Sequence, residues 1–281
     1  MAKKRIIFTL LYESGNFMLS RNFRLQRAGD VNWLLRNYNF SQVAQSLDEL
    51  IIVDVSRDEI DHKRFLNDVS VISQNCFVPI AIGGSIRNFQ TAAQYIDGGA
   101  DKIIVNSVFD TDPSVVYEIS SYFGRQCVIG GLDIIGTSDS GYKVAGRHNA
   151  SVLEVDPQER IALMINSGAG EILLQSVDRD GTGTGFDFNL LPIAERFSNT
   201  PLIVSGGFGK AEHMIEALRH PAVDAIATAN LFNFIGDGLQ KAREAVLGTG
   251  GVGIPNHASF ASYGLSHQAT HKTNKPSLER S

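Results

Sequence analysis

The sequence is poor in cysteine. Its only two cysteines, Cys76 and Cys127, each lie beside an apolar run. We therefore expect two buried free thiols, as in proteins of the reducing cytoplasm. A small domain held together by disulfides is excluded.

Long hydrophobic runs and an excess of positive charge are also missing. Apolar runs such as residues 103–105 are far too short to span a bilayer, and the stretch 6–11 after the basic start is too short for a signal peptide. The formal net charge of −5 disfavours a nucleic-acid-binding surface. It does not exclude anionic small ligands, because backbone dipoles hold these locally. We expect a cytoplasmic protein with no membrane and no nucleic-acid partner.

What the sequence does contain is an alternation of short β-rich runs with segments of helical period. Helix start signals fall between the runs: Asp156, Pro157 and Glu159 supply an N-cap, a first-turn proline and a capping-box glutamate. Eight strand–helix units predict an α/β fold, a single (β/α)8 TIM barrel with a parallel sheet. The predicted strands are residues 5–11, 49–55, 79–82, 102–106, 127–133, 171–175, 201–205 and 225–229.

The barrel is predicted to consist of two half-barrel repeats. Gly83 recurs as Gly206, 123 positions later, and Glu49 recurs as Glu171 after 122 positions. Two halves of four βα units each explain these offsets.

The barrel is assigned to residues 1–247. From residue 248 to 281, Gly, Ser, Thr, Asn and His dominate and hydrophobic periodicity vanishes. We expect a mobile low-complexity tail, whose three histidines lack the spacing of a metal site.

Two glycine-rich loops are the first candidate site. Barrel active sites lie where the strands end and the βα loops begin, and there glycine lets backbone N–H groups approach an anion closely. Because the two loops are related by the repeat, they predict a phosphorylated small molecule with a phosphate at each end. The alternative is that the glycines only make tight turns. The candidate residues are Gly83, Gly84, Asn106, Ser107, Gly206, Gly207, Ala229 and Asn230.

Acidic residues at strand ends are the second candidate. Asp133 ends the run 127–133 beside a glycine pair that leaves space inside the barrel, so it is placed for proton transfer. Its equivalent in the first half is Leu11, which cannot exchange a proton. Asp180 and Gly181 follow the sixth strand, where a carboxylate can orient substrate hydroxyls or act as a base. The alternative there is a loop closed by an Asp–Arg pair.

Charged residues at the strand starts form a third group. Four alternating charges at equivalent heights predict a ring of salt bridges across the barrel floor. The ring is either a stabilising plug or a gate for a small neutral molecule, and both interpretations stay open. The residues are Arg5, Glu49, Lys102 and Glu171.

From residue 5 to about residue 247, the chain resembles the cyclase subunit of imidazole glycerol phosphate synthase. The matching stretches are residues 5–7, 48–50, 99–102, 105–107, 123–127, 168–174, 178–182 and 205–207. The resemblance implies a barrel that receives ammonia from a docked glutaminase and joins it to a bis-phosphorylated ribulosyl substrate. No cofactor is expected.

The resemblance also implies roles for individual residues. It makes Asp133 one of two catalytic aspartates, directs Asp101 towards the glutaminase and makes the charged ring the ammonia entrance. The residues that would line the two phosphate ends are Gly84, Asn106, Asp180, Gly181, Ser205, Gly207 and Asn230.

The sequence also departs from the family pattern at several positions. Leu11 stands where the family has its other catalytic aspartate, and Leu19 where it has a lysine. Removing one proton-transfer group costs roughly 10²–10⁴-fold in rate. Half of the acid–base pair is thus missing while the ammonia path is kept. The remaining departures are Phe8, Thr9, Ser85 and Gln175.

Three hypotheses remain open. The pattern resembles divergent paralogues encoded with bacterial surface-polysaccharide genes, which implies a heterodimer with a glutaminase that feeds a separate sugar amidotransferase. The chain could instead be a true cyclase–lyase of histidine synthesis, with Asp54 or Glu13 replacing the missing acid. The third hypothesis is a non-catalytic barrel that binds a phosphorylated ligand.

Overall fold

The computed structural model describes residues 3–37, 43–57, 60–139, 141–146, 151–229 and 238–255. Its strands are β1 (Arg5–Glu13), β2 (Asn16–Arg21), β3 (Arg24–Gly29), β4 (Glu49–Asp54), β5 (Ile80–Gly83), β6 (Lys102–Val105), β7 (Val128–Gly136), β8 (Tyr142–Ala145), β9 (Val152–Leu153), β10 (Glu171–Ser176), β11 (Leu202–Ser205) and β12 (Ala225–Thr228). Its α-helices are α1 (Val31–Asn37), α2 (His62–Ser73), α3 (Phe89–Asp97), α4 (Val108–Thr111), α5 (Ser114–Phe123), α6 (Pro157–Asn166), α7 (Leu191–Glu195), α8 (Ala211–Arg219) and α9 (Gly238–Gly248).

Eight of the strands close into a parallel barrel. β1, β4, β5, β6 and β7 pair in that order, β7 pairs with β10, and β10, β11 and β12 follow. The closing step is the parallel pairing of β12 with β1, in which Arg5 lies beside Ala225. This confirms the predicted (β/α)8 barrel.

The alternation of side chains along each strand separates two apolar layers. Along β1, Ile6, Phe8 and Leu10 pack outwards among the helices, whereas Ile7 packs inwards. The inner layer fills the middle of the barrel, so the barrel is a packed core and not a pore. Its members are Ile7, Ile51, Ala81, Ile104, Ile129, Leu173, Ile203, Ala225 and Ala227.

The half-barrel repeat recurs in the hydrogen bonds at the barrel base. Asp101 accepts a hydrogen bond from the backbone N–H of Ile80 at 2.8 Å. Asp224, 123 positions later, accepts one from Leu202 at 2.9 Å. Each aspartate lies just before a strand, and its carboxylate accepts from the first N–H of the strand that precedes it in the chain. That N–H has no partner within its own strand.

Helix α6 begins as the sequence predicts. The side chain of Asp156 accepts hydrogen bonds from the backbone N–H groups of Gln158 and Glu159, and Pro157 occupies the first turn. The loop after β7 contains β8, which pairs antiparallel with the end of β7.

A hairpin after β1 is the feature that the strand predictions missed. β2 and β3 pair antiparallel, and β2 also pairs with the end of β1. The turn residues Asn22 and Phe23 adopt positive φ angles of 50° and 59°. A hairpin turn usually shows itself by a glycine at such positions, and this turn has none.

Ordered chain continues past residue 247. Val252 and Ile254 are buried, and the backbone N–H of Lys4 donates to the carbonyl of Gly253 at 2.8 Å. Residues 256–281, which hold most of the predicted tail and its histidines, lie outside the described residues. Within the described chain, no helix combines the length and apolarity needed to cross a membrane.

Candidate functional site

Two adjoining cavities lie at the carboxyl ends of the barrel strands. The first has a volume of about 220 Å³ and the second about 200 Å³. Their position is the usual place for a barrel active site. Five residues belong to the walls of both: Thr9, Leu11, Ser20, Gln175 and Ser205.

The first cavity contains the candidate residues of the first half-barrel. Gly84, Asn106 and Ser107 line it together with Ser85, whereas Gly83 lies within β5 and is not in the wall. Gly84 has a φ of 124°, and a Cβ there would lie 2.6 Å from the carbonyl oxygen of Asp54. Only glycine therefore allows this close approach.

The second cavity contains the candidate residues of the other half. Its wall includes Asp180, Gly181, Ser205, Gly206, Gly207 and Ala229. A side chain at position 207 would overlap the carbonyl oxygen of Gly185. Asn230, the last candidate of this group, lies outside the described residues. The predicted phosphate-binding residues that line a cavity thus divide between two neighbouring spaces, one for each half-barrel, with Ser205 in the wall of both.

Asp133 lies in the first cavity and faces a changed neighbour. The side-chain amide of Asn106 donates to its carboxylate at 2.9 Å. Burial raises the pKa of Asp133 to about 6, the hydrogen bond from Asn106 opposes this shift, and the charge of Asp180 adds to it. Leu11 lines the same cavity. At position 11, where the resemblance implies a second catalytic aspartate, this cavity thus has an apolar side chain in its wall.

Asp54 is a second acid in the first cavity. Its side chain is buried, and burial raises its pKa, although hydrogen bonds from Ser56 oppose the shift. Glu13, the other residue considered as a replacement acid, lines neither cavity.

The carboxylate of Asp180 is engaged by the hairpin. It accepts hydrogen bonds from the hydroxyl of Ser20 at 2.5 Å and from the backbone N–H of Phe23 at 3.0 Å. The backbone N–H of Asn22 donates to the carbonyl of Asp180 at 3.0 Å. Asp180 thus fixes the β2–β3 hairpin over the mouth.

The hairpin brings two residues to the site that the sequence reasoning missed. Arg21 and Arg24 line the second cavity. They went unnoticed because the hairpin itself was not predicted. The short apolar run at residues 17–19, just after Gly15, was the available signal for a strand there.

The four predicted charges at the barrel base form a closed ring. Arg5 contacts Glu49 at 2.5 Å and Glu171 at 2.7 Å, and Lys102 contacts the same two carboxylates at 3.0 and 2.6 Å. Burial alone would raise the pKa of Glu171, but hydrogen bonds and charges from Arg5 and Lys102 outweigh it and hold the pKa below its usual value. The second carboxylate oxygen of Glu49 is buried and has no partner among the described residues.

Asp101 lies at the same end of the barrel, immediately before β6. The residue is exposed, but its carboxylate is tied to the N–H of Ile80. Among the described residues, no three His, Cys, Asp or Glu side chains come together as a metal site.

Comparison with known proteins identifies a family and several relatives that are similar to this chain in sequence. A family model described as "Histidine biosynthesis protein" matches residues 23–235. "Putative imidazole glycerol phosphate synthase subunit hisF2" of Parasynechococcus marenigrum is 46% identical, over 87% of this chain and 90% of the relative. "Imidazole glycerol phosphate synthase subunit HisF" of Dictyoglomus thermophilum is 32% identical, over 83% and 91%. The protein of the same name from Caulobacter vibrioides is 34% identical, over 89% and 95%.

The ring makes a prediction about stability. Lys102→Met removes two ion pairs and leaves two buried carboxylates with one cation between them, so we expect unfolding free energy to fall by about 3 kcal/mol. Lys143→Met is the matched control, because its pair with Glu154 is exposed and should contribute little. Urea denaturation of both variants measures the difference. Equal stabilities would contradict the prediction.

Asp133 makes a prediction about pH. Its pKa is about 6 in the fold against an ordinary 3.8, so ionisation disfavours the fold above about pH 6 and has no effect below about pH 4. Asparagine mimics the protonated acid. We therefore expect Asp133→Asn to be about 2 kcal/mol more stable than the wild type near pH 7.5, with the gain vanishing towards pH 4.

Thermal denaturation across this pH range measures the effect. Asp97→Asn, at the exposed end of α3, is the control for a carboxylate outside the cavities. An Asp133→Asn variant that is less stable than the wild type at neutral pH would show that the carboxylate is not disfavoured by its surroundings.

Proposed function

The chain belongs to the imidazole glycerol phosphate synthase HisF family of histidine biosynthesis proteins, and we propose that it receives ammonia from a partner glutaminase. The proposed complex is a heterodimer. Its glutaminase docks at the barrel base, and ammonia travels along the barrel axis to the mouth, which also binds a phosphorylated ligand.

The closed ring at the base is the observation that carries this proposal. Two cations and two carboxylates make it neutral overall, so it does not trap a charged ligand by net attraction. The unpartnered oxygen of Glu49 is a free acceptor for an N–H group of ammonia. A lone buried acceptor is costly without a partner, and a small passing donor meets that need.

The inner layer above the ring favours a neutral passenger. It consists of aliphatic side chains with no polar group among them. Transfer of an ion through such a layer is strongly unfavourable, whereas a small neutral molecule crosses at much lower cost. Ala81, Ala225 and Ala227 of this layer are smaller than their isoleucine neighbours. A small molecule could therefore pass beside them with little movement of the surrounding side chains.

The mouth supports a reaction other than cyclisation. Asp133 and Leu11 line the same cavity, and Leu11 stands where the resemblance to the family implies the other catalytic aspartate, so the acid–base pair lacks that member. The relative at 46% identity is named as a second form, hisF2, while the relatives named HisF are 32% and 34% identical. We propose that ammonia serves the amidation of a surface-polysaccharide sugar by a separate amidotransferase.

Asp54 supports a second candidate function. It shares the first cavity with Asp133, and burial raises its pKa above the ordinary value, which is the direction that favours a role in proton transfer. With Asp54 as the other acid, the chain would be a genuine cyclase of histidine synthesis. A barrel that only binds a phosphorylated ligand is the remaining alternative.

Glutaminase docking is tested at the barrel base. Phe77 precedes β5 at this end and is 88% exposed, which is typical of an interface anchor. We expect the wild type to raise glutamine hydrolysis by the co-expressed glutaminase about 5- to 150-fold. Phe77→Ala should weaken the complex at least about tenfold, as measured by calorimetry.

Tyr117→Ala is the matched control, because Tyr117 is 66% exposed but lies on α5 at the side of the barrel. Stimulation that never appears with any glutaminase of the host would refute the heterodimer. Equal effects of the two substitutions would refute docking at the base.

The cyclase alternative is tested in a histidine auxotroph that lacks the cyclase subunit. We expect no growth with the wild-type chain and a gain of about 10²-fold or more in cyclase rate with Leu11→Asp, which restores the second acid. Growth supported by the wild type would refute the sugar amidation proposal. Loss of that growth in Asp54→Asn would then identify Asp54 as the replacement acid.

A further inference from the structure

The end of the β2–β3 hairpin carries two opposed cations. Arg21 is the last residue of β2, Arg24 is the first of β3, and the two are register partners. Both line the second cavity. Like charges directly opposite each other on a strand pair are destabilising. Both side chains are exposed, and an anion that lies close to both would remove the repulsion that solvent leaves.

No protein carboxylate supplies that anion within the described part of the chain, where neither guanidinium has an ion-pair partner. Asp180 lines the same cavity, but its carboxylate accepts from Ser20 and from the N–H of Phe23. Asp180 therefore holds the hairpin in place and forms no ion pair with either arginine.

Part of the wall of this cavity is bare backbone. Gly181, Gly206 and Gly207 line the cavity and have positive φ angles, so the wall carries no side chain at these positions. A cavity whose wall combines bare backbone with two guanidinium groups is complementary to a doubly charged oxyanion.

We propose that Arg21 and Arg24 together bind the terminal phosphate or diphosphate of the ligand in the second cavity. The inference rests on the proposed function, because it assigns two binding residues to the phosphorylated ligand proposed there. A phosphate monoester carries a charge of about −1.5 to −2 near neutral pH, which matches two guanidiniums. The first cavity has a single arginine in its wall, Arg57, so the two ends of the ligand are held differently.

Calorimetric titration tests the proposal at low salt with three probes: inorganic phosphate, fructose 6-phosphate and fructose 1,6-bisphosphate. We expect Arg21→Ala and Arg24→Ala each to weaken binding of the bisphosphate about tenfold, because each removes charge-assisted hydrogen bonds. Arg21→Lys should lie between, since lysine keeps the charge but loses the fork. Arg27→Ala is the matched control, because Arg27 belongs to β3, as Arg24 does, and lines neither cavity.

A second measurement separates binding from folding. Without ligand, the melting temperature of Arg21→Ala should equal or exceed that of the wild type, because one of two repelling charges is gone. With the bisphosphate, the wild type should gain more stability than the variant. A lower melting temperature of the unliganded variant would mean that the arginines hold the hairpin and would overturn the proposal.

The remaining outcomes also decide. Wild-type binding that Arg21→Ala and Arg24→Ala leave unchanged, or that Arg27→Ala weakens equally, would overturn the arginine site while the phosphorylated ligand stands. A wild-type chain that binds none of the probes would refute the phosphorylated ligand itself and the arginine site with it. Preference for the sugar phosphates over inorganic phosphate would support a sugar-bound phosphate, and the reverse would overturn it.

Discussion

The alternation of side chains along eight parallel strands is the constraint on which the rest of the molecule depends. Because every second residue points inwards, the charged strand starts, the aliphatic middle and the polar strand ends lie on one axis. Arg5, Ile7, Thr9 and Leu11 along β1 pass through these levels in turn. A shift of register by one residue would move all of them to the helix side.

This constraint explains which parts of the site were predictable from sequence. The strands follow from local periodicity, whereas the repeat and the charged ring follow from residue types that recur at equivalent strand positions. The comparison with HisF proteins confirms the family. The hairpin was missed because its turn at Asn22 and Phe23 has no glycine. The contact that holds it, between Ser20 and Asp180, joins residues 160 positions apart. Local patterns carry no signal for such a contact, so Arg21 and Arg24 could not be placed.

The mouth shows how a cavity changes the chemistry of an acid. Leu11 and Asp133 line the same cavity, and burial there favours the protonated carboxyl of Asp133. A single acid of this kind exchanges one proton near neutral pH. It cannot donate and accept at two positions of a substrate at once, as a pair of acids does.

The shared pairing in the ring has a consequence for how such a protein can evolve. Each carboxylate contacts both cations and each cation contacts both carboxylates, so replacing any one member disrupts two pairs together. Tolerated amino-acid substitutions in the ring must therefore occur two at a time, and such double replacements are rare. The described residues at the mouth of the barrel have no such shared pairing and can change singly. The chemistry of the mouth is thus free to diverge while the base keeps its four charges.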